Sequence, residues 1–359
     1  MHRIKLFIPG PTEVREEVLE ALSHPVIGHR TQDFSDLVDR VITKLRDLLQ
    51  TSYRIQVVTA SGSGLMEAAV RNFVERKVLA TVIGAFGERW YRIAKANGKE
   101  VDRLEVPWGQ AITPDLLEEA LKKDRYEAVL ITHNETSTGV MNPLKELAEV
   151  VHTLSPDTLI LVDAVSSMMG APIDFEGWGL DYVLAGVQKA FALPPGLAVG
   201  VISDRAFEKA KTVQNRGYYF DLVEIQKYLD ERRQTPTTPA VNLYYALDRQ
   251  LDRMMDEGLD ARWKRHRAMA ELVQKWGATY FDLFAERDYR SWTVTTITNT
   301  REISVAWLIE ELKKRGFLIS NGYGQLKEKT FRIGHMGDLT PEDVQELLIN
   351  IEAILGLNG

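Results

Sequence analysis

"LILVDAVSSMMGAPIDFEGWGLDYVLAGVQKAFALPPGLAVGVIS", residues 159–203, holds three short apolar runs set apart by Gly, Pro and Asp. Runs this short and this continuously apolar read as strands buried on both faces, the pattern of a sheet covered by helices. Outward toward the N-terminus the same kind of run recurs as "YRIQVVTA" (53–60), "KVLATVIG" (77–84), "EVDRLEVP" (100–107) and "YEAVLITH" (126–133). The segments between them, such as 114–123 and 143–154, have helical spacing. Residues from about 50 to 205 therefore predict an α/β unit with a mostly parallel sheet.

Beyond Pro239 the pattern changes. Leu243, Leu247, Leu251 and Met255 fall at helical spacing with few breakers as far as Trp276, which predicts long helices. "WTVTTITN" (292–299), "VAWLIEELKKRG" (305–316), "FLISNGYG" (317–324), "KTFRIGHM" (329–336) and "PEDVQELLINIEAIL" (341–355) follow in the order strand, helix, strand, strand, helix. At 359 residues the chain exceeds the size at which one core stops growing. We expect two domains, a large one over 1–250 that includes the N-terminal segment and a small α+β one over 251–359.

The composition, 45% apolar and 26% charged, is that of a globular protein, and the formal charge of −7 is spread without blocks of one sign. Small molecules, rather than nucleic acid or membrane, are the expected partners. With no cysteine, a disulfide framework, a thiolate metal site and a cysteine nucleophile are all excluded. "MHRIKLFIPGPT" lacks the apolar centre of a signal peptide before Pro9, and no apolar run is long enough to span a bilayer, so a cytoplasmic protein is expected.

Three features invite chemistry. Lys189 follows an apolar run and precedes a proline pair. Alone it is equally a strand-end lysine with its head in water or an amine held in a dry site, where burial lowers its pKa. Asp163 ends a run too apolar to take a carboxylate without a partner, though capping the next turn is an alternative task. "VVTASGSGLMEAAV" (57–70) passes from strand through a Gly/Ser turn into a helix expected to begin near Leu65, so the N–H groups of Ser63, Gly64 and Leu65 can converge on an anion. It lacks both Gly-Lys-Ser/Thr and a full G-x-G-x-x-G, and a plain tight turn explains it too. One short crossover and one strand separate Asp163 from Lys189, which puts their strand ends side by side, where open α/β sheets bind ligands. A pyridine ring with a phosphate and an aldehyde fits all three groups.

The motifs "PGPTEVREEVLEAL" (9–22), "IGHRT" (27–31), "SGSG" (61–64), "THNETSTGV" (132–140), "LVDAVSS" (161–167), "GVQKAFALPPG" (186–196), "TPTTPAVNLYYAL" (235–247) and "FRIGHMG" (331–337) span nearly the whole chain. In these the sequence resembles the class V, fold-type I pyridoxal-phosphate aminotransferases, within them the serine–pyruvate/alanine–glyoxylate branch. The resemblance implies pyridoxal 5'-phosphate as cofactor, Lys189 as its Schiff-base lysine and Asp163 as the partner of its ring nitrogen. It further implies that Ser63, Gly64, Leu65 and Gln188 bind the phosphate and that Phe86 stacks on the ring where relatives often have tryptophan. Val165 would wall the other face, Thr136 would lie near the ring hydroxyl, and Arg332 would hold the substrate carboxylate. For Phe86, Val165, Thr136 and Arg332, the residues alone equally allow core packing, a turn cap or a surface ion pair.

The family is also expected to form a homodimer whose sites are completed across the interface, here by Thr237 or Thr238, with Gln234 where some relatives carry tyrosine. His29, His133 and His335 lack metal-ligand spacing, so no metal is expected, and His335 with the 28–30 turn is a candidate rim of the substrate mouth. The implied activity is ping-pong transfer of an amino group between serine or alanine and pyruvate or glyoxylate. A phosphoserine or other acidic-substrate aminotransferase on the same fold is the alternative. A Rossmann-like nucleotide binder or a non-catalytic scaffold would leave Asp163 and Lys189 without a task.

Overall fold

The computed structural model describes residues 4–357; the outer ends of the two expected domains, 1–3 and 358–359, lie outside the described residues. A short strand β1 (Lys5–Leu6) and helices α1 (Glu16–Ala21) and α2 (Gln32–Leu49) lead into the main sheet. There β2 (Arg54–Thr59), α3 (Gly62–Phe73), β3 (Lys77–Val82), α4 (Ala85–Ala96), β4 (Glu100–Glu105), α5 (Pro114–Leu121) and β5 (Ala128–Thr132) alternate. A ribbon of β6 (Asn134–Glu135) and β7 (Val140–Met141) precedes α6 (Leu144–Leu154), β8 (Leu159–Asp163), β9 (Tyr182–Gly186) and β10 (Leu197–Ile202). The seven long strands lie in the order β2-β10-β9-β8-β5-β3-β4. β10 runs antiparallel to both its neighbours, and the other pairings are parallel.

All seven expected strands form, and β5, β8, β9 and β10 are buried along their whole length. Their continuous apolar runs suit a position inside a sheet with both faces covered. β4, at one sheet edge, has no buried residue and carries Glu100, Asp102, Arg103 and Glu105, charges that guard an unpaired edge. One expectation is corrected. α3 starts at Gly62 rather than near Leu65, because Ser61, in extended conformation, already acts as its N-cap residue.

Helices α7 (Asp204–Thr212), α8 (Leu222–Arg232), α9 (Val241–Glu257) and α10 (Leu259–Tyr280) come next, the last two broken at Gly258. Strands β11 (Asp282–Leu283), β12 (Val294–Thr298), β14 (Ser320–Asn321) and β15 (Thr330–Gly334) build an antiparallel sheet in the order β11-β12-β15-β14. It carries α11 (Val305–Lys314) and α12 (Pro341–Leu355), with β13 (Phe317–Leu318) pairing β1 in parallel. No helix among the described residues is long and apolar enough to cross a membrane.

Two apolar cores result. The larger surrounds the seven-stranded sheet and takes in α9 through Met254; the smaller joins Met269, Val273 and Trp276 of α10 to Phe317, Phe331, Ile333, Val344 and Leu347. Phe7, from the N-terminal segment, lies in the smaller core and not the larger. Its N–H donates to Leu318 O at 2.8 Å, and its carbonyl accepts from Gly334 N–H at 2.7 Å.

A buried ion cluster spans the two units. Arg262, 1% exposed, donates from Nη2 to Ala190 O at 2.7 Å and from Nη1 to Asp338 Oδ1 at 3.0 Å and Glu257 Oε2 at 2.8 Å. Gln250 Nε2 also donates to Asp338, at 3.1 Å. Because desolvating such charges is costly, a cluster like this fixes geometry more than it adds stability. Here it fixes the residue after Lys189 against the loop after β15.

Phe7→Ala should destabilise the protein by about 3–5 kcal/mol through the cavity it leaves. It should also release residues 5–12 to faster amide exchange while β8 and β9 stay protected. Urea denaturation with exchange mass spectrometry checks both, and unchanged exchange at 5–12 would refute the anchoring.

Candidate active site

β8 and β9 are parallel neighbours, with Asp163 paired to Leu184. The chain leaves β9 at Gly186 and reaches Lys189 just beyond the end of the strand, so both side chains lie at the same edge of the sheet. Asp163 is 3% exposed, and the one hydrogen bond its carboxylate receives among the described residues is from Val165 N–H, 2.9 Å from Oδ1. Burial pushes its pKa up to about 7; the Val165 N–H, Arg89 and Lys189 oppose this and the Glu135 charge adds to it. Burial moves Lys189 the other way, down to about 8, with the cation of Arg332 adding to the shift and Asp163 opposing it.

Arg332, on β15, comes from the smaller unit. Its Nε donates to Asn321 O at 3.1 Å and its Nη1 to Thr136 O at 3.2 Å. Its Cζ stands 5.4 Å from the Tyr323 ring centre. It makes no ion pair among the described residues, so the surface-pair reading fails and Nη2 is left for a ligand. Burial lowers its pKa to about 10, which still keeps it charged near neutrality.

A chain of contacts joins the remaining candidates to these three. Arg89 Nη1 donates to Ser63 Oγ at 3.1 Å, and its Cζ lies 4.7 Å from the Phe86 ring centre. The Phe86 ring is 5.9 Å from that of Tyr323, which faces Arg332. Thr136 Oγ1 donates to Ser166 Oγ at 2.9 Å, and Gln188 keeps a buried amide oxygen without a partner. Gly64 N–H bonds Ser61 O at 2.9 Å, and the Leu65 side chain is in the core, so what α3 offers is the start of its backbone. Its first turn carries no acidic residue and no side-chain cap, which keeps it open to an anion.

Other candidates lie apart. Thr235 Oγ1 donates to Thr237 O at 2.7 Å, Thr238 Oγ1 sits 3.5 Å from His29 Nε2, and Arg30 donates to the carbonyls of Thr235 and Pro236. The "IGHRT" and "TPTTPA" motifs thus meet each other, and no hydrogen bond joins Thr237 or Thr238 to Lys189, Asp163 or Ser63 among the described residues. His335 is fully buried with Nε2 2.9 Å from Thr295 Oγ1, a core position rather than a rim.

Glu135 was not singled out from the sequence. It is fully buried, and its carboxylate accepts from Phe86 N–H and Gly87 N–H at 3.0 Å each, and from Ser137 N–H at 3.1 Å and Ser137 Oγ. It thereby caps α4 and fixes Phe86. Gly84 permits this approach, because a Cβ there would stand 2.5 Å from Glu135 Cγ. A glutamate in a polar turn gives no sign in the sequence that four donors will surround it.

The site therefore gathers a buried carboxylate, a depressed amine, an unpaired guanidinium and an open helix start. Such a donor set suits a phosphorylated aromatic aldehyde, with a carboxylate-bearing substrate beside it.

In the cofactor-free protein, acylation of Lys189 followed across pH by peptide mass spectrometry should show a midpoint near 8 rather than 10.5. Arg332→Gln should raise that midpoint and Asp163→Asn lower it; an unresponsive midpoint at the ordinary lysine value would mean a solvated amine. Stability follows by linkage. The unfolded chain holds more protons at Lys189 between about pH 8 and 10.5, so this group makes stability rise with pH there. The folded chain holds more at Asp163 between 3.8 and about 7, so that group makes stability fall as pH rises through the interval.

Comparison with known proteins agrees with this chemistry. The family described as aminotransferase class-V matches residues 5–347. An aminotransferase of Methanocaldococcus jannaschii is 41% identical, over 98% of this chain and 92% of the relative. The L-aspartate–glyoxylate aminotransferase of Paracoccus denitrificans is 32% identical, over 93% of this chain and 87% of the relative. The solved structure of an alanine–glyoxylate aminotransferase from Nostoc sp. superposes with a TM-score of 0.93 at 31% identity, covering 99% of this chain and 96% of that one. With its mostly parallel sheet, its smaller antiparallel unit and this match over nearly its whole length, the chain belongs to the class V aminotransferases, enzymes of the fold-type I architecture.

Proposed function

We propose that the chain moves an amino group between a small amino acid, serine or alanine, and a 2-oxo acid, pyruvate or glyoxylate, in a ping-pong cycle. The observation that carries this reading is the convergence of Lys189, Asp163 and Arg332, from two units of the fold, on one crevice. The glyoxylate named for both the Paracoccus and Nostoc relatives supports the acceptor.

Pyridoxal phosphate, on which the family's chemistry depends, supplies when bound an electron sink for the charge left as the substrate's α C–H bond breaks. The residues present fit it. In our reading the backbone at Ser63, Gly64 and Leu65, with the Gln188 amide turned to present its NH2, binds the phosphate. Phe86 and Val165 orient the ring from its two faces, and Thr136 lies near its hydroxyl. Asp163 holds a proton on the ring nitrogen, which a buried carboxylate with a single protein donor is free to do. Lys189 Nζ, with a pKa near 8, takes the α-proton as base and returns it as acid. Arg332 binds the α-carboxylate with the edge that Asn321 and Thr136 leave open.

The same reading includes a cytoplasmic two-fold dimer in which Thr237 or Thr238 reaches the partner's phosphate. It includes a large domain over 1–250 and a small one over 251–359, the Phe7 segment crossing to the latter. A second reading has one observation behind it: the Paracoccus relative is named for aspartate, so an acidic donor on the same fold is the alternative. A donor-by-acceptor panel with purified holoenzyme decides. Serine or alanine turning over with glyoxylate or pyruvate well ahead of aspartate and phosphoserine is the expected result, and the reverse order would establish the acidic reading.

Both half-reactions pass a substrate carboxylate through the same site. Arg332→Ala should therefore lower kcat/KM for amino acid and oxo acid alike by about 2–5 kcal/mol, roughly one and a half to three and a half orders of magnitude. Arg332→Lys should recover part of this. Half-reactions measured separately test it, and a loss confined to one substrate class would give Arg332 another task.

A further inference from the structure

The residues that touch Lys189 most closely belong to neither strand that carries it. Its Nζ donates to the carbonyl of Pro9. Gly10, at φ +135°, lies so close that a Cβ there would stand 2.7 Å from Nζ and Cδ and 2.8 Å from Cε. Thr12 holds the backbone of the same loop, its N–H donating to Gln188 O at 3.1 Å and its Oγ1 to Lys189 O at 3.0 Å. Within this loop Pro9 thus receives the amine, Gly10 leaves room for it and Thr12 grips the peptide that bears it. Immediately upstream, the segment is tied to the other unit through Phe7, whose carbonyl accepts from Gly334, two residues past Arg332.

We propose that Pro9–Thr12 is the docking position of the Lys189 amine during the part of the reaction in which that amine is not bonded to the cofactor. This rests on the reading of Lys189 as the cofactor-bearing lysine. In that interval the amine has to take up and return a proton, so it must stay within reach without pairing to an anion. A peptide carbonyl meets both needs. It accepts from either protonation state, favours the ammonium without neutralising it, and has no proton of its own to give. The charged groups acting on the amine are Asp163 from β8, Arg332 from β15 and Arg89 from α4. The Pro9 carbonyl adds direction to that field without adding charge. Gly10 follows from the same requirement, since any side chain there would occupy the amine's position.

Gly10→Ala fills the docking position, Thr12→Val loosens its grip, and Thr12→Ser keeps the hydroxyl. With folding checked by urea midpoint, two measurements decide. In cofactor-free protein, the pH midpoint of Lys189 acylation should move down in Gly10→Ala and Thr12→Val, because losing an acceptor disfavours the ammonium, and should stay at the parental value in Thr12→Ser. In holoenzyme, kcat should fall about 10- to 100-fold in the first two variants, the scale of a small misplacement of a reacting group. KM should change by less than about threefold, and Thr12→Ser should be close to parental. Parental midpoints and parental kcat in Thr12→Val would overturn the proposal, as would equal losses in Thr12→Ser and Thr12→Val. If Gly10→Ala does not fold, the Thr12 pair decides alone. A protein that transaminates no donor would overturn the aminotransferase reading, whereas the acylation midpoints would still report on the docking position.

Discussion

A largely enclosed amine, only partly open to water, is the constraint around which the site is built. A solvated lysine would hold its proton at neutral pH and be useless as a base. Burial alone would strip the proton and leave nothing to return. Lys189 sits between these limits because burial and the Arg332 cation pull its pKa down while Asp163 pulls it up, for a balance near 8. That balance needs one group from the end of β8 and another from β15, so it exists only when both units are in place. Glu135 acts on the same field, raising Asp163 and Arg332, while its carboxylate holds the N–H groups of Phe86 and Gly87.

Much of this was legible in the sequence because strands and their ends are local matters. The runs at 159–163, 182–186 and 197–202 announce buried strands, and a strand order follows from short crossovers, so Asp163 and Lys189 come together by topology alone. Small residues at 61–64 look like turn, which puts the expected start of α3 three residues late, whereas an extended Ser61 already begins the helix. For His335 the sequence allows a polar core or a rim position; just after β15 it is fully buried beside Thr295.

What the sequence hid are partnerships between distant segments. Nothing near Glu135 foretells the amides of Phe86 and Gly87. Likewise, nothing near Arg262 foretells that it will lie under the carbonyl of Ala190 while holding Asp338. These contacts depend on packing angles between elements, which no periodicity encodes. They are also where charge is buried, and so where the fold is most specific about a single arrangement.

The pairing of β1 with β13 sets the order of events during synthesis. Lys5 and Leu6 are made long before their partners Phe317 and Leu318, and Gly334, which holds Phe7, comes later still. The seven-stranded sheet with Lys189 is complete long before then. Until β15 is made the amine lacks the neighbours that strand brings, and the closing contact is of the most non-local kind, which makes it a late step of folding. A chain stopped before β15 would therefore present Lys189 without Arg332, as a lysine closer to its ordinary basicity on an otherwise finished sheet.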